Sequence, residues 1–414
     1  MSQSSDVGYL ELIRSNANFR RIWIGDVASL LGDWFNAIAL YILVRELTSS
    51  PLALGLVFIT KTLPLAVASP FAGLLIDRFD RRRLMIASDL IRALLVLGFL
   101  LVDDPGEVWI IYLLGSLQMV VSALFIPARS ASIPNITTER ELLTANALSA
   151  ATWSTLLAVG AALGGLVTAA LGVRAVFLLD SLSYVVSAFF ILRTTIPQAT
   201  DRPPAGGAIL RHAWFDIVAG WRHMWARPSI GRMALAKATW AVGGGGLVYM
   251  LALLGEKLHP AAPAVGMGVL YSARGLGTGI GPVVMRKFLP QERKWPAMMG
   301  LGIVASGVGY LFIGSISWSI VLAVVVVLAH APSGANWVAS SVLLQKRTED
   351  RFRGRVFATE WLSISLVDSL SILGASLLLE WADVTLRTAI LVFAAIQIIC
   401  GVIWLLVVVP AERR

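Results

Sequence analysis

A chain of 414 residues that is 57% hydrophobic and only 14% charged is too apolar for a water-soluble globule, which carries roughly a quarter charged residues. A net charge of +9 taken alone suits nucleic acid. Its distribution does not: the Lys and Arg residues gather in every second loop between apolar runs, so the partner is a lipid bilayer and nucleic acid is excluded.

The first twenty residues are polar and lack an apolar core, so no cleavable leader is expected there. Apolar runs follow at 20–44, 52–76, 84–102, 108–127, 145–171, 174–193, 231–254, 264–286, 296–314, 318–342, 356–380 and 386–409. Each is near the roughly 20 residues that cross a hydrocarbon core of about 30 Å. The prediction is an all-α membrane protein with twelve transmembrane helices. With the N-terminus in the cytoplasm, the inner loops are basic and outer loops such as Asp103–Glu107 are short and acidic, which places both termini inside. The single cysteine, Cys400, allows no intramolecular disulfide, and the four histidines lack metal-ligand spacing, so no metal or other cofactor is expected.

Ionisable residues inside membrane spans are expensive and functional by default. In span 1, Asp26 and Asp33 are seven apart and share a helix face, with Asp33 near mid-depth and Asp26 about 10 Å nearer the cytoplasm. Lys61 is near the middle of span 2. Burial raises an aspartate's pKa and a nearby ammonium lowers it. Asp33 and Lys61 therefore read either as a conditional pair that loads and releases a proton or as a permanent salt bridge, with Asp26 as the second candidate carrier. Trp34 in the same span is a candidate for the cavity wall.

Span 2 ends on "GLLIDRFDRRR" (Gly73–Arg83). An acid among arginines at a membrane edge can hold a charge-assisted pair. Asp77 and Arg78, with Arg81 and Arg82, read as a cytoplasmic gate, with Arg129 at the end of span 4 and Arg353 and Arg355 before span 11 in reach. Arg83 reads as an orientation charge. Asp89 and Arg92 in span 3 read as a local pair with this loop. "GAALGGLV" in span 5 predicts close helix contact, and Asp180 in span 6 reads as structural.

Residues 194–230 are rich in Pro and Gly at first and then carry Leu210, Trp214, Ile217, Val218, Trp221 and Trp225 on one helical face. A cytoplasmic linker with an interfacial amphipathic helix is predicted. It divides the chain into an N-terminal six-helix bundle, 1–193, and a C-terminal one, 231–414. In the second half, "GPVVMRKFL" sets Met285 where Asp77 stands and Arg286 where Arg78 stands, so the acid is lost. Lys237 at the start of span 7 is expected to snorkel, and "GGGG" (Gly243–Gly246) predicts a bent or mobile helix. Arg274 in span 8 and Asp368 in span 11 lie near mid-depth and read as a mutual pair, as contacts for a charged substrate group, or as both. Asn336, beside Pro332 and Gly334, predicts a hinge at the cavity. Trp153, Trp240 and Trp337 face either a cavity or their neighbours.

Twelve spans split six and six around this loop resemble the major facilitator superfamily, whose signature is Gly-x-x-x-Asp-Arg-x-Gly-Arg-Arg. Gly73, Asp77, Arg78, Arg81 and Arg82 match it, and Asp80 replaces the second glycine. "NFRRIWIGDVASLLGDWF", "ATWSTLLAVGAALGGLV" and "RFRGRVFA" further resemble the exporter branch that includes enterobactin and macrolide efflux proteins. The resemblance implies alternating access and the gating role for Asp77. No Gly-x-x-x-x-Gly-Lys loop is present, so an ion gradient, of protons, is the expected energy source. The expectation is a monomeric, proton-coupled exporter of amphipathic organic molecules (a drug, siderophore or natural product) in a bacterial cytoplasmic membrane, and no enzyme. Uptake of a small anionic metabolite anchored on Arg274 and lipid flipping on the same fold are the alternatives.

Overall fold

A computed structural model describes residues 7–197, 209–382 and 384–413, with the side chains at 73, 74, 77, 78, 209–214, 216, 350 and 351 outside that description. The chain is helical from end to end: α1 (Tyr9–Ser15), α2 (Ala17–Leu47), α3 (Pro51–Arg78), α4 (Arg81–Gly98), α5 (Val108–Ile136) and α6 (Glu139–Leu192) precede the linker. After it come α7 (Ile209–Ala226), α8 (Pro228–Ala234), α9 (Ala236–Leu258), α10 (Pro263–Phe288), α11 (Trp295–Ser315), α12 (Val321–Arg347), α13 (Asp350–Trp381), α14 (Leu386–Ile403) and α15 (Val409–Arg413). Helices are the form in which an apolar run satisfies its own backbone without water. Side-chain caps mark several starts: Asn16 accepts from the Phe19 N–H at 2.9 Å, Ser50 from Ala53 at 3.0 Å and Asp80 from Arg83 at 2.8 Å. Asp80, which stands where the signature has glycine, thus starts α4.

Among the described residues, ten helices are long and apolar enough to cross a membrane. One of them, α6, has 54 residues, about 80 Å at 1.5 Å per residue, far more than a bilayer needs. It is broken at Gly172, with φ 79° and ψ 164°, a conformation that a side chain resists. Contacts with α2 show that the chain reverses there. Trp23 bonds Thr152 and Trp34 packs on Gly160, so the first arm runs alongside α2; Gly25 meets Ser187 and Gly32 meets Asp180, so the second arm runs back. Counting these arms separately and adding the less apolar α10 is consistent with twelve spans.

Leu12 of α1 clusters with Ile133, Ile136 and Ile196 where α5 and α6 end, and Val409 clusters with Met224 and Ile230 beside the linker. Met285 belongs to that second cluster, so the position equivalent to Asp77 has become core. The predicted linker helix is present as α7, which packs against α13 and α3. Gly220 lies so close to α13 that a methyl there would come within 2.4 Å of the Thr359 Oγ1. Leu210, Arg211 and Trp214 lie outside the described side chains; Trp225 is exposed.

The four glycines at 243–246 do not interrupt α9, which is helical throughout. They admit neighbours instead: Gly243 abuts Gln397 of α14, Gly245 abuts Asp368 of α13 and Gly246 abuts Phe393 of α14. Nor do Pro332 and Gly334 interrupt α12. A Cβ on Gly281 would lie 1.8 Å from the Ala331 carbonyl oxygen, and one on Gly334 2.1 Å from the Thr278 oxygen, so α10 and α12 are pressed backbone to backbone. Such a seam presses the two helices together along their length. The glycines of "GAALGGLV" do pack closely as expected, Gly160 and Gly164 against α2 and Gly165 against Ala264 of α10.

Gly172→Ala is expected to lower unfolding stability by about 1–3 kcal/mol because of its backbone conformation. The control is Gly279→Ala, where no atom lies within 4 Å and little change is expected. Thermal unfolding of the purified proteins in detergent reads both.

Candidate functional site

At one end, the helices on either side of the linker are joined. Arg45 at the end of α2 forks onto Glu256 at the end of α9, at 3.0 and 3.2 Å. Glu380 of α13 accepts from the Ser50 hydroxyl at 2.8 Å and the Leu52 N–H at 3.1 Å, and the Tyr249 hydroxyl donates to the Pro51 carbonyl at 2.7 Å. Below them, Phe58 stacks on Tyr41 at 4.2 Å and meets Tyr249 and Tyr271 at 5.6 and 6.4 Å. These contacts tie the two sets of helices together at that end.

Beneath the aromatic layer is a cavity of about 450 Å³, lined from both sides of the linker. The earlier helices contribute Asp26, Asp33, Trp34, Lys61, Arg92, Arg129 and Trp153; the later ones contribute Trp240, Tyr271, Arg274 and Asp368. Most of the ionisable residues singled out within spans therefore meet in one place.

Asp33 and Lys61 do not form a direct ion pair. The Lys61 ammonium donates to Gln118 Oε1 at 2.8 Å and to Asn36 Oδ1 at 3.3 Å. Gln118 donates through its Nε2–H to the Tyr184 hydroxyl oxygen at 2.9 Å, and Tyr184 donates to Asp33 Oδ1. Lysine and aspartate are thus the ends of a relay through two buried groups. The second arm runs from Lys61 through Asn36, whose Nδ2 donates to Asp180 Oδ2 at 2.7 Å. Asn36, Gln118, Asp180 and Tyr184 all have 0% exposure. Sequence reasoning missed three of them and took Asp180 as plain structure. The available signal was a run of buried polar residues on lines that face Lys61.

Asp26 is less free than expected. Its Oδ2 pairs with Arg129 Nη1 at 2.5 Å, so the arginine assigned to the gate is held by α2. Asp89 and Arg92 form the predicted local pair, almost wholly buried, but Arg92 serves the cavity rather than the loop. Its guanidinium lies 4.3 Å from the Tyr184 ring and 4.4 Å from the Phe125 ring.

The gate itself is divided. The side chains of Gly73, Asp77 and Arg78 lie outside the described residues. Arg81 donates to the Ala131 carbonyl of α5 at 2.8 Å, and Arg82 donates to the carbonyls of Ile191 and Leu192, where it caps the end of α6. Arg353 and Arg355 are exposed at the start of α13, with Arg355 lying 5.8 Å over the Phe352 ring.

On the later helices, Arg274 and Asp368 face the cavity without forming an ion pair, and the Arg274 Nε is buried without a hydrogen-bond partner. Asn336 and Trp337 are not in the cavity wall. Asn336 is buried in packing, and Trp337 sets its ring edge-on to Trp361 at 6.1 Å. Lys237 does not snorkel. It is 5% exposed, pairs with Glu360 at 2.9 Å, donates to Ser341 at 2.8 Å and sits 4.5 Å over Trp337. Glu360 went unread in the sequence because it follows four charges of the α13 start and looks like part of them.

The model of the Major Facilitator Superfamily matches residues 22–359. The chain belongs to this superfamily. It is 26% identical over 412 residues to the uncharacterized MFS-type transporter YfiS of Bacillus subtilis, covering 97% of this chain and 96% of that one. It is 28% identical over 186 residues to macrolide efflux protein A of Streptococcus pyogenes, covering 44% and 46%, and 24% identical to the enterobactin exporter EntS of Shigella boydii, covering 86% and 84%. In fold it is similar to a bacterial homologue of the human lysosomal transporter Spinster, solved inward-facing and unoccupied, with TM-score 0.74, 16% identity and coverage of 96% and 97%. The protein is a multi-pass membrane transporter of this superfamily, with the fold expected from its sequence.

Breaking the Lys237–Glu360 pair from one side leaves a buried charge. Lys237→Met is expected to cost about 3–5 kcal/mol, and Lys237→Met with Glu360→Leu to recover most of it. Thermal unfolding of the two variants beside the parent measures this.

Proposed function

We propose that this transporter is a proton-coupled secondary exporter of amphipathic organic molecules. The observation that carries the reading is Asp33: it faces the cavity between the two sets of helices and is wired through Tyr184 and Gln118 to Lys61. A carboxylate that gains a proton no longer needs the hydroxyl and ammonium turned toward it, so loading it relaxes the relay. The cavity volume falls within the range of organic ligand sites, and Trp34, Trp153, Trp240 and Tyr271 give it apolar and aromatic walls. Relatives named for efflux and export support the direction.

In this reading residues 1–193 and 231–414 are two bundles that rock about the cavity. The contacts of Arg45, Ser50 and Tyr249 are the closed state of the outer end, and Asp77 gates the end that carries the termini. The basic inner loops support a bacterial cell membrane with both ends in the cytoplasm. The substrate is a small molecule, a monomer suffices and the ion gradient is the energy source. One observation favours uptake of a small anionic metabolite instead: Arg274, a cavity guanidinium with no carboxylate upon it.

Proteoliposomes with an imposed pH gradient and a panel of labelled amphipathic compounds test the coupling. The wild type is expected to concentrate its substrate and Asp33→Asn only to equilibrate it. If the variant still concentrates, Asp33 is not the coupling group, and accumulation of small anions alone favours uptake. Ser50→Cys with Glu380→Cys, in a Cys400→Ser background, is expected to stop transport once joined by a short thiol crosslinker. Undiminished transport after crosslinking removes alternating access at that end.

A further inference from the structure

Lys61 is shared by two carboxylates. Within the buried centre of α2, α3, α4 and the second arm of α6 lie two bases, Lys61 and Arg92, and three acids, Asp33, Asp89 and Asp180. Arg92 is matched by Asp89. Asp26, also on α2, is matched by Arg129, and α10, packed on the other arm of α6, brings Arg274 to the cavity. That leaves one ammonium against Asp33 and Asp180, so full ionisation would strand a negative charge away from water, at a cost far above that of a neutral acid.

The two acids are not equivalent. Asp33 faces the cavity and accepts the Tyr184 hydroxyl proton, a setting that suits a carboxylate. Asp180 is absent from the cavity wall, has 0% exposure and touches no cation. Its Oδ2 accepts from Asn36 at 2.7 Å, and its Oδ1 lies 3.4 Å from the Ser183 Oγ. Ser183 already spends its own proton on the Asp180 carbonyl at 2.7 Å. Both carboxyl oxygens therefore meet only neutral groups, a setting in which a buried acid is far less costly neutral than ionised.

We infer that Asp180 is a proton-binding site, holding a proton in this state and signalling its loss to Lys61 through Asn36. When Asp180 ionises, the ammonium has two carboxylates to choose between, and the Asn36 arm competes with the Gln118 arm for it. The inference deepens the coupling reading above.

Infrared spectroscopy of the purified, lipid-reconstituted protein at neutral pH tests it without any transport. The wild type is expected to show a protonated-carboxyl C=O band that Asp180→Asn lacks and Asp33→Asn keeps. Asn36→Ala, which removes the donor to Oδ2, is expected to keep the band and raise its frequency. Asp180→Asn should melt like the wild type, since the amide copies a neutral acid. A band retained in Asp180→Asn, a band lost in Asp33→Asn instead, an unmoved band in Asn36→Ala or a sharp fall in the melting temperature of Asp180→Asn would each overturn the assignment. A transporter that is not driven by protons would keep this signature and fail the pH-gradient assay, so the two failures are separable.

Discussion

A charge inside a helical bundle wrapped in hydrocarbon must find its partner within the bundle, and this constraint orders the interior of the protein. Asp26 reaches Arg129 across α2 and α5, Lys237 reaches Glu360 across α9 and α13, and Lys61 is cradled by amides from α2 and α5. Each contact joins separate helices, so the same bonds that make burial tolerable also fix which helices are neighbours. Where two acids share one base, the arrangement has a choice of protonation states, and that choice is what a transporter can use.

Close packing complements the charge network. Small residues bring α6 against α2 and α10, and α10 against α12, so that backbones touch without side chains between them. In lipid, where apolar side chains gain nothing by leaving their surroundings for one another, such contact supplies much of the holding energy. The aromatic layer of Tyr41, Phe58, Tyr249 and Tyr271 is different in kind. It spans the two sets of helices with rings rather than backbone, and Tyr41, Phe58 and Tyr271 of it line the cavity.

The membrane class, the helical architecture, the superfamily and most of the charges that line the cavity were legible in the linear chain, because apolar run length and isolated charges are local properties. Asp33, Lys61, Arg274 and Asp368 stood out for that reason, and all four line the cavity. Trp337 and Asn336 looked the same in the sequence and do not, because a helix of mixed polarity does not reveal which of its faces meets the cavity. The packing role of the glycines of α9 and the proline of α12 was hidden for a related reason: it depends on what lies against them, and both are on seams where a neighbour presses in.

The pairing of charges escaped the sequence almost entirely. Length, hydropathy and the alternation of basic loops determine how many times a chain of this kind crosses lipid, because each crossing is settled within its own twenty or so residues by the transfer of apolar groups and backbone out of water. Whether Lys61 meets Asp33 directly or through Gln118 and Tyr184, and whether Arg129 serves a gate or Asp26, depends on ångström-scale offsets between helices far apart in the chain, from 57 positions between Lys61 and Gln118 to 144 between Asn36 and Asp180. Only the packed structure fixes those offsets.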